Sequence, residues 1–553
     1  MSRSSRMGTT IEDSGGTGAD SIAPDAVSAG RTGGRVAAHT VAVAFGLVVV
    51  VSAVYYLRIT RDSWFYADEW AMALQVRRPQ DIFEPYNNHL SVTILGLYRV
   101  LLEIFGFTTH LPYRVAGTIS LVAVPVAMFL VARRRVGDAA AAVMGLVLLW
   151  FRGIGLEPGA LNHSLTLLGA VVCAYGLSGR GRRCDILVAA SLAFALASSG
   201  GGVAVAMAAA VHSLSSRATR SRWLAVVVPS AAWLAWWIVV VPPDSEEVQE
   251  LRPGVLELTG DAVRYAAESF RFLAFGNRVL GGVLLVAFVV LGAWRARQGL
   301  AAAANVLAWS AGLLFWWFGL MWSRWLLIGD PPAFRYQWVA AGFILLAVLP
   351  PGQAAAPQWA SISTRKGAIV ATTGVLVVAA VLAQAVRPDA QAFARAHAGY
   401  GRLTRGQAAV LLDPTATVPD DVTFGFPFAN RTAGELRAVL DAYGADGGPG
   451  ETDRLLVVIG AVDLVRGPPG TAPEGCHDLR RPIRTAPDSR IGLYARTGAG
   501  TPEVLVRRFG PEWVTVGHLE EGQRATLLLP GYAAGAEWQV NVGEGICVVP
   551  ARP

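Results

Sequence analysis

The sequence predicts an α-helical polytopic membrane protein with about eleven transmembrane helices, followed by a C-terminal extracytoplasmic soluble domain. Hydrophobic residues make up 53% of the 553 residues, charged residues only 16%, and the mean hydropathy is +0.43. Soluble proteins of this length are rarely so apolar, so lipid must solvate much of the chain. From about residue 387 the apolar runs become short and are bounded by Gly, Pro and Asp, which is typical of strands.

The first 57 residues divide into a polar tail and an apolar run. Residues 1–34 are rich in Ser, Gly, Thr and Asp and offer no apolar face to bury, so we expect a disordered cytosolic tail. Residues 36–57 are long enough to cross a bilayer, and no cleavage site of the A-x-A kind follows them. This run predicts a retained first span, which opens a membrane domain over residues 35–386.

Ten further apolar runs predict the remaining spans. Basic clusters fall in alternate connections between the runs, whereas the longer connections are acidic. By the positive-inside rule the basic connections are cytosolic, which places the N-terminus inside and the C-terminal domain outside. The small residues at 198–202 predict either a tight outer turn between two spans or a break in one long buried hairpin. The runs lie near residues 113–132, 138–151, 161–177, 185–199, 203–214, 223–241, 279–294, 300–322, 338–349 and 367–386.

Arginine supplies nearly all of the basic charge, since Lys366 is the only lysine. This bias, together with the Ala, Gly and Val content, indicates a GC-rich genome and favours an actinobacterial source, so we expect a bacterial inner (plasma) membrane. The net charge of +7 does not indicate nucleic-acid binding, because the arginines stand in short clusters beside apolar runs and not on one basic face. Membrane topology explains them.

The C-terminal region, residues 387–553, predicts a soluble α/β or β-rich domain. Strands are expected near 455–459, 491–494 and 526–529, and a helix over 433–443. None of the four cysteines has metal-ligand spacing, so zinc is not expected. If the region lies outside the cytosol, Cys476 and Cys547 can form a disulfide, and two free structural thiols are the alternative.

The first outer loop, residues 58–112, carries an acidic pair, Asp68 and Glu69, among aromatic residues. A carboxylate at a hydrocarbon edge is partly desolvated and becomes a better proton acceptor, as the general base for a hydroxyl must be. Asp68 is the candidate base, and Glu69 can hold an acceptor hydroxyl or a divalent ion. Alternatively, the pair only caps an interfacial helix.

Further along the same loop stand Asn87, Asn88 and His89. These side chains are neutral hydrogen-bond donors and can orient a polar substrate beside the acidic pair. Short amphipathic helices near 71–74 and 92–105 are expected to lie at the membrane interface, anchored by tryptophan and tyrosine.

This architecture resembles the GT-C class of membrane glycosyltransferases: a single span, a large outer loop with an acidic pair, many further spans and an outer C-terminal domain. The resemblance implies that Asp68 and Glu69 are catalytic and that the donor is a sugar linked to a polyprenyl phosphate. It is supported by the Arg335-Tyr336 pair in a late loop, since GT-C proteins often carry such a pair near the lipid phosphate. Arg335 is the candidate phosphate ligand and Arg324 the second, with snorkelling to the interface as the alternative for both.

These features together predict transfer of a sugar to a cell-envelope glycan, lipid or protein by an inverting displacement. No cofactor is required, although a divalent metal can take part. Two other classes of protein stay open. A multi-pass transporter usually carries ionisable groups within its spans, and here the spans are almost free of charge. A non-catalytic cell-envelope assembly protein would act through the C-terminal domain.

Overall fold

The structure is a computed structural model, and it describes eighteen ranges of residues. They are 24–65, 68–86, 88–151, 158–216, 218–242, 253–324, 334–352, 365–412, 420–421, 423–424, 431–444, 462–473, 475–478, 482–486, 489–498, 500–507, 513–529 and 537–549.

Helices form most of the chain as far as residue 412. α1 (Pro24–Ile59) leads into the first outer loop, which contains α2 (Asp68–Gln75), a 3-10 helix over Pro79–Phe83 and α3 (Val92–Phe105). The helices that follow are α4 (Leu111–Val136), α5 (Asp138–Leu149), α6 (Pro158–Ser178), α7 (Arg182–Ser198), α8 (Gly202–Ser215), α9 (Arg220–Val240), α10 (Val255–Leu273), α11 (Arg278–Arg297), α12 (Leu300–Arg324), α13 (Phe334–Val348) and α14 (Arg365–Leu412).

Within the described ranges, seven helices are long and apolar enough to cross a membrane: α1, α4, α6, α9, α11, α12 and α14. Three shorter apolar helices, α5, α8 and α13, correspond to three more of the predicted spans. The last predicted span corresponds to the 17-residue α7, which packs on α6 and α9. A polytopic helical membrane domain is therefore confirmed, and residues 198–202 separate two helices.

Small residues bring the helices of the bundle close together. A Cβ added to Gly169 of α6 would lie 2.9 Å from the Cβ of Ala195 on α7, and one added to Gly312 of α12 would lie 3.1 Å from the Cβ of Ala208 on α8. Close backbone approach of this kind favours helix association in lipid, where the hydrophobic effect between helices is absent. In contrast, only 11% of the apolar window of α9, and likewise of α11, is buried, which leaves these helices an apolar surface for lipid.

Arginine side chains close the end of the bundle away from the first outer loop. Arg135 donates to the carbonyl of Ala174 over 3.2 Å, and Arg295 donates to the last carbonyls of α13 over 2.8–3.2 Å. Arg222 pairs with Asp185 at 2.6 Å and also donates to carbonyls at the end of α6. Cations at helix C-termini satisfy carbonyls that have no partner in the helix. Three of the basic clusters thus lie at one end of the bundle.

The first outer loop builds a second core, which we call the outer-loop cluster. Trp70 stacks on Phe107 with ring centroids 4.6 Å apart, and Trp64 and Phe65 pack beside them. The boundary predicted at residue 386/387 falls inside the continuous helix α14, whose last turns join this cluster. The Thr404 hydroxyl donates to the Phe65 carbonyl over 2.6 Å. The cluster also includes apolar residues of α15 (Ala433–Tyr443), the helix predicted at 433–443.

The described strands are β1 (Thr423–Phe424), β2 (Arg431–Thr432), β3 (Asp463–Pro469), β4 (His477–Asp478), β5 (Ile483–Thr485), β6 (Arg490–Ala495), β7 (Glu503–Arg507), β8 (Val514–His518), β9 (Gln523–Leu528), β10 (Trp538–Val542) and β11 (Ile546–Val549). Those beyond α15 form two sheets. A five-stranded antiparallel sheet has the order β3-β9-β6-β11-β4, and a four-stranded one has the order β5-β10-β7-β8. Their inward side chains, such as Leu493, Leu527 and Trp538, form a separate core. Of the two types predicted, the β-rich one fits this region, and the run at 455–459 lies outside the described residues.

Cys476 and Cys547 form a disulfide across a sequence separation of 71 residues, with Cα atoms 5.3 Å apart. We expect Cys476→Ser combined with Cys547→Ser to lower the stability of the sheet region by about 4 kcal/mol, because the cross-link restricts a long loop in the unfolded chain. Thermal unfolding of the purified full chain measures the loss. Cys184→Ser, a change at a free cysteine, is the control. Equal melting temperatures for the double variant and the wild type would contradict the prediction.

Candidate functional site

The two members of the acidic pair occupy different environments at the start of α2. Asp68 is exposed, and its carboxylate accepts no hydrogen bond from the described residues. Glu69 is only 1% exposed and points into the outer-loop cluster. The helix therefore separates the two carboxylates: Asp68 is open to a ligand, and Glu69 is closed off from one.

Glu69 Oε1 is the acceptor for two side chains of the same loop. The Tyr98 hydroxyl donates to it over 2.7 Å, and His110 Nε2 lies 2.9 Å away. His110 Nε2 is placed to donate to Glu69, and Nδ1 lies 3.3 Å from the Ser63 hydroxyl and 3.2 Å from the Ser63 carbonyl. Burial, reinforced by the charge of Glu69, raises the pKa of Tyr98 well above its usual range, so its hydroxyl stays a donor.

Tyr86 and His89 close a tight turn beside α2. Tyr86 and His89 exchange two backbone hydrogen bonds of 2.9 and 3.0 Å, and exposed Asn88 has φ +62°, a conformation that asparagine tolerates. The Tyr86 hydroxyl donates to the Asp68 carbonyl over 3.3 Å, which ties the turn to the N-terminus of α2. Asn87 lies outside the described residues.

His89 connects this loop to the membrane bundle. Its ring rests on the turn between α7 and α8, where a Cβ added to Gly200 would lie 2.6 Å from Nδ1. Close by, the Thr93 hydroxyl donates to Ser198 Oγ over 2.9 Å. The first outer loop is thus held at two points on the end of α7.

The Arg335-Tyr336 segment meets the other side of the same turn. A Cβ added to Gly201 would lie 2.6 Å from the ring of Trp316, and Trp316 Nε1 donates to the Tyr336 carbonyl over 3.1 Å. The half-buried Arg335 guanidinium lies over the Tyr336 ring, 5.0 Å from its centroid, and one of its nitrogens is 3.4 Å from the Tyr336 hydroxyl. The ring of His163 packs against Tyr336 as well, with centroids 5.4 Å apart.

These contacts link predicted site residues from two distant parts of the sequence to one turn. His89 contacts Gly200 and is linked to Asp68 through Tyr86, while Trp316 contacts Gly201 and is linked to the Arg335-Tyr336 pair by its hydrogen bond to the Tyr336 carbonyl. Arg324, the second candidate, is the last residue of α12, and its side chain lies outside the described residues. The sequence did not predict that His110, Tyr98 and the α7–α8 turn are parts of the site.

Within the described ranges, no group of three or more His, Cys, Asp or Glu side chains is arranged to hold a metal ion. A hard cation requires several oxygen ligands. Since Glu69 Oε1 is engaged by Tyr98 and His110 within a buried cluster, the described pair does not supply such a set. No step proposed below uses a metal.

No protein-family model matches the chain, and no curated protein matches it. Similar solved structures include ArnT from Cupriavidus metallidurans bound to undecaprenyl phosphate, with a TM-score of 0.46, 15% identity, and coverage of 74% of this chain and 87% of that one. They also include an Archaeoglobus fulgidus oligosaccharyltransferase in complex with Zn and sulfate, with a TM-score of 0.31, 11% identity, and coverage of 65% of this chain and 55% of that one. Neither likeness reaches a TM-score of 0.5, and neither assigns a function to this chain.

Proposed function

We propose that the chain is a membrane glycosyltransferase that moves a sugar from a polyprenyl-phosphate donor to an acceptor hydroxyl. The observation that carries this proposal is the junction at the α7–α8 turn. There His89, from the loop that bears the exposed Asp68 carboxylate, packs on Gly200, and Trp316, which donates to the carbonyl of Tyr336 next to Arg335, packs on Gly201. A proton acceptor and a cation linked to one turn suit an acceptor hydroxyl and a lipid phosphate, respectively.

In the proposed reaction Asp68 removes the proton from the acceptor hydroxyl, and the acceptor oxygen attacks the anomeric carbon of the donor. The bond between that carbon and the phosphate oxygen breaks, and polyprenyl phosphate leaves with the electron pair, so the anomeric configuration inverts. The Arg335 guanidinium stabilises the charge that develops on the phosphate. Its stacking on Tyr336 holds it in place for this role.

Polar groups beside Asp68 serve to orient the sugar substrate. Asn88 is exposed at the tip of the 86–89 turn, and the backbone of that turn is fixed by its two hydrogen bonds. A fixed donor on the turn that Tyr86 ties to the Asp68 backbone selects one orientation of a hydroxyl, which raises the effective concentration of the reacting group. The acceptor in this proposal is a glycan, lipid or protein of the bacterial cell envelope, on the outer face of the inner membrane.

Arg335→Ala is expected to weaken binding of undecaprenyl phosphate about 10- to 100-fold, because hydrogen bonds to charged groups contribute about 1.5–3 kcal/mol. Arg335→Lys should recover part of the affinity, since lysine keeps the charge but loses the flat fork. Titration of undecaprenyl phosphate into the full chain in lipid nanodiscs measures both.

The control for this experiment is Arg61→Ala, which removes an exposed arginine of the first outer loop that pairs with the equally exposed Asp62 at 3.4 Å. Its affinity should equal that of the wild type. Equal affinities for Arg335→Ala and wild type would rule out the proposed phosphate contact. Loss of small-molecule uptake with unchanged envelope glycans, in strains carrying Asp68→Ala or Arg335→Ala, would instead favour a transporter.

A further inference from the structure

The α7–α8 turn contains three consecutive glycines, Gly200, Gly201 and Gly202. None of them has a positive φ, and Gly201 has ordinary right-handed helical angles of −62° and −19°. An alanine could adopt the backbone conformation of Gly201, so backbone freedom does not explain a glycine there. Glycine is required because neighbouring side chains occupy the space that a Cβ would need.

The space above Gly200 is filled by His89. A Cβ at this position would lie 2.6 Å from Nδ1, 2.7 Å from Cε1 and 3.1 Å from Cγ of the imidazole. Ordinary contacts of a Cβ with ring atoms begin near about 3.5 Å, so the ring would have to move by about 1 Å. The imidazole belongs to the turn that is bonded to the backbone of Asp68 through Tyr86.

The space above Gly201 is filled by Trp316. A Cβ there would lie 2.6 Å from the indole Cζ3 and 3.2 Å from Thr166 Cγ2. The indole cannot rotate away freely, because its Nε1 donates to the Tyr336 carbonyl over 3.1 Å and it is only 3% exposed. Displacement of Trp316 therefore shifts the start of α13, where Arg335 stands.

Hydroxyl groups fix the turn itself. Ser199 Oγ accepts from the Gly201 amide over 3.1 Å and shares a 2.8 Å hydrogen bond with Thr166, while Ser198 Oγ accepts from Thr93 over 2.9 Å. Because the turn is anchored to both α6 and α3, an added methyl group would displace the flanking rings and not the turn.

We propose that Gly200 and Gly201 are positioning residues, each responsible for one half of the site. Gly200 sets the position of the loop that carries Asp68, through His89, and Gly201 sets the position of Arg335, through Trp316. The inference rests on the proposed function and extends it to two residues that do not touch the substrate. It predicts that adjacent glycines have separable effects on the reaction.

The test compares Gly200→Ala and Gly201→Ala in nanodiscs. Gly200→Ala should lower the transfer rate about 10- to 100-fold, as misplacement by about 1 Å can do, and leave the affinity for undecaprenyl phosphate unchanged. Gly201→Ala should weaken undecaprenyl phosphate binding by a similar factor. Gly96→Ala is the matched control, since a Cβ at this α3 glycine meets nothing within 4 Å. A purely structural role would move both readouts together in both variants, which would overturn the proposal.

A double variant keeps the test decisive if Gly200→Ala folds poorly. His89→Ala opens the space that the new methyl group needs, so adding Gly200→Ala to His89→Ala should change neither the rate nor the melting temperature further. An additional loss in the double variant would overturn the role of Gly200. Asp68→Asn is assayed alongside: if it retains full activity, the proposed function itself fails, whereas its loss together with full activity of Gly200→Ala refutes only this inference.

Discussion

Asp68→Asn is expected to reduce sugar transfer by about 10²- to 10⁴-fold, the usual contribution of a general base. Asparagine keeps the size of the side chain but cannot take the acceptor proton. Because Asp68 is exposed and its carboxylate accepts no hydrogen bond from the described residues, the free energy of unfolding should change by less than about 0.5 kcal/mol. The rate is measured as release of polyprenyl phosphate from a lipid-linked sugar extract of the source membranes, and unfolding is followed by heating in detergent.

Asp62→Asn is the matched control, because Asp62 is another exposed aspartate of the first outer loop. It forms an ion pair with Arg61 at 3.4 Å, and both side chains are about two-thirds exposed. Surface pairs of this kind contribute little, so rate and stability should stay close to those of the wild type. Full activity of Asp68→Asn, or an equal loss in Asp62→Asn, would show that the base lies elsewhere.

The different environments of Asp68 and Glu69 show what the sequence could predict at this site and what it could not. Acidic residues at the start of a short helix near a membrane were enough to select the pair. Adjacent residues on a helix point about 100° apart, so one of two neighbours can face a buried cluster while the other faces solvent. Which one does so depends on Tyr98 and His110, and no motif joins these distant residues to Glu69.

The fold was predicted best where a local rule applies. Apolar runs of sufficient length predicted the helices of the bundle, and the capping box between Thr432 and Glu435 explains why α15 begins at the predicted residue. The pairing of strands such as β6 with both β9 and β11 joins segments distant in sequence, so it could not be derived. The continuation of α14 into the outer-loop cluster was also missed, because its residues beyond 386 are polar enough to look like a linker.

The turn at residues 198–202 illustrates the same limit. Its small residues predicted either a turn or a break in a hairpin, and the structure has α7 ending at Ser198 and α8 beginning at Gly202. The reason for the glycines was not visible in the sequence. It lies in two aromatic rings, of His89 and Trp316, that stand more than a hundred residues away from the turn on either side.

Glu69→Ala is expected to destabilise the protein by about 3–5 kcal/mol, the range for removal of one partner from a buried charged network. The change leaves the Tyr98 hydroxyl and His110 Nε2 buried without their acceptor. The donor at Tyr98 is permanent at physiological pH, since its raised pKa keeps the hydroxyl protonated. Its contribution should be present below a pH of about 10 and decline above it, where the unfolded tyrosine ionises. Thermal unfolding in detergent between pH 7 and 11 measures both effects.

Glu103→Ala is the control for this prediction. Glu103 is half exposed and pairs with Arg99 at 2.7 Å, so its loss should cost less than about 1 kcal/mol. Glu69→Gln should fall between the two, because its amide oxygen can take the place of Oε1 and accept both hydrogen bonds but lacks the charge of a carboxylate.

These results decide which carboxylate is the base and which is structural. Asp68 substitutions should change the rate without changing stability, and Glu69 substitutions should change stability first. If Glu69→Gln abolishes transfer in a chain that melts like the wild type, the proton acceptor is Glu69 and the outer-loop cluster must open for the substrate to reach it.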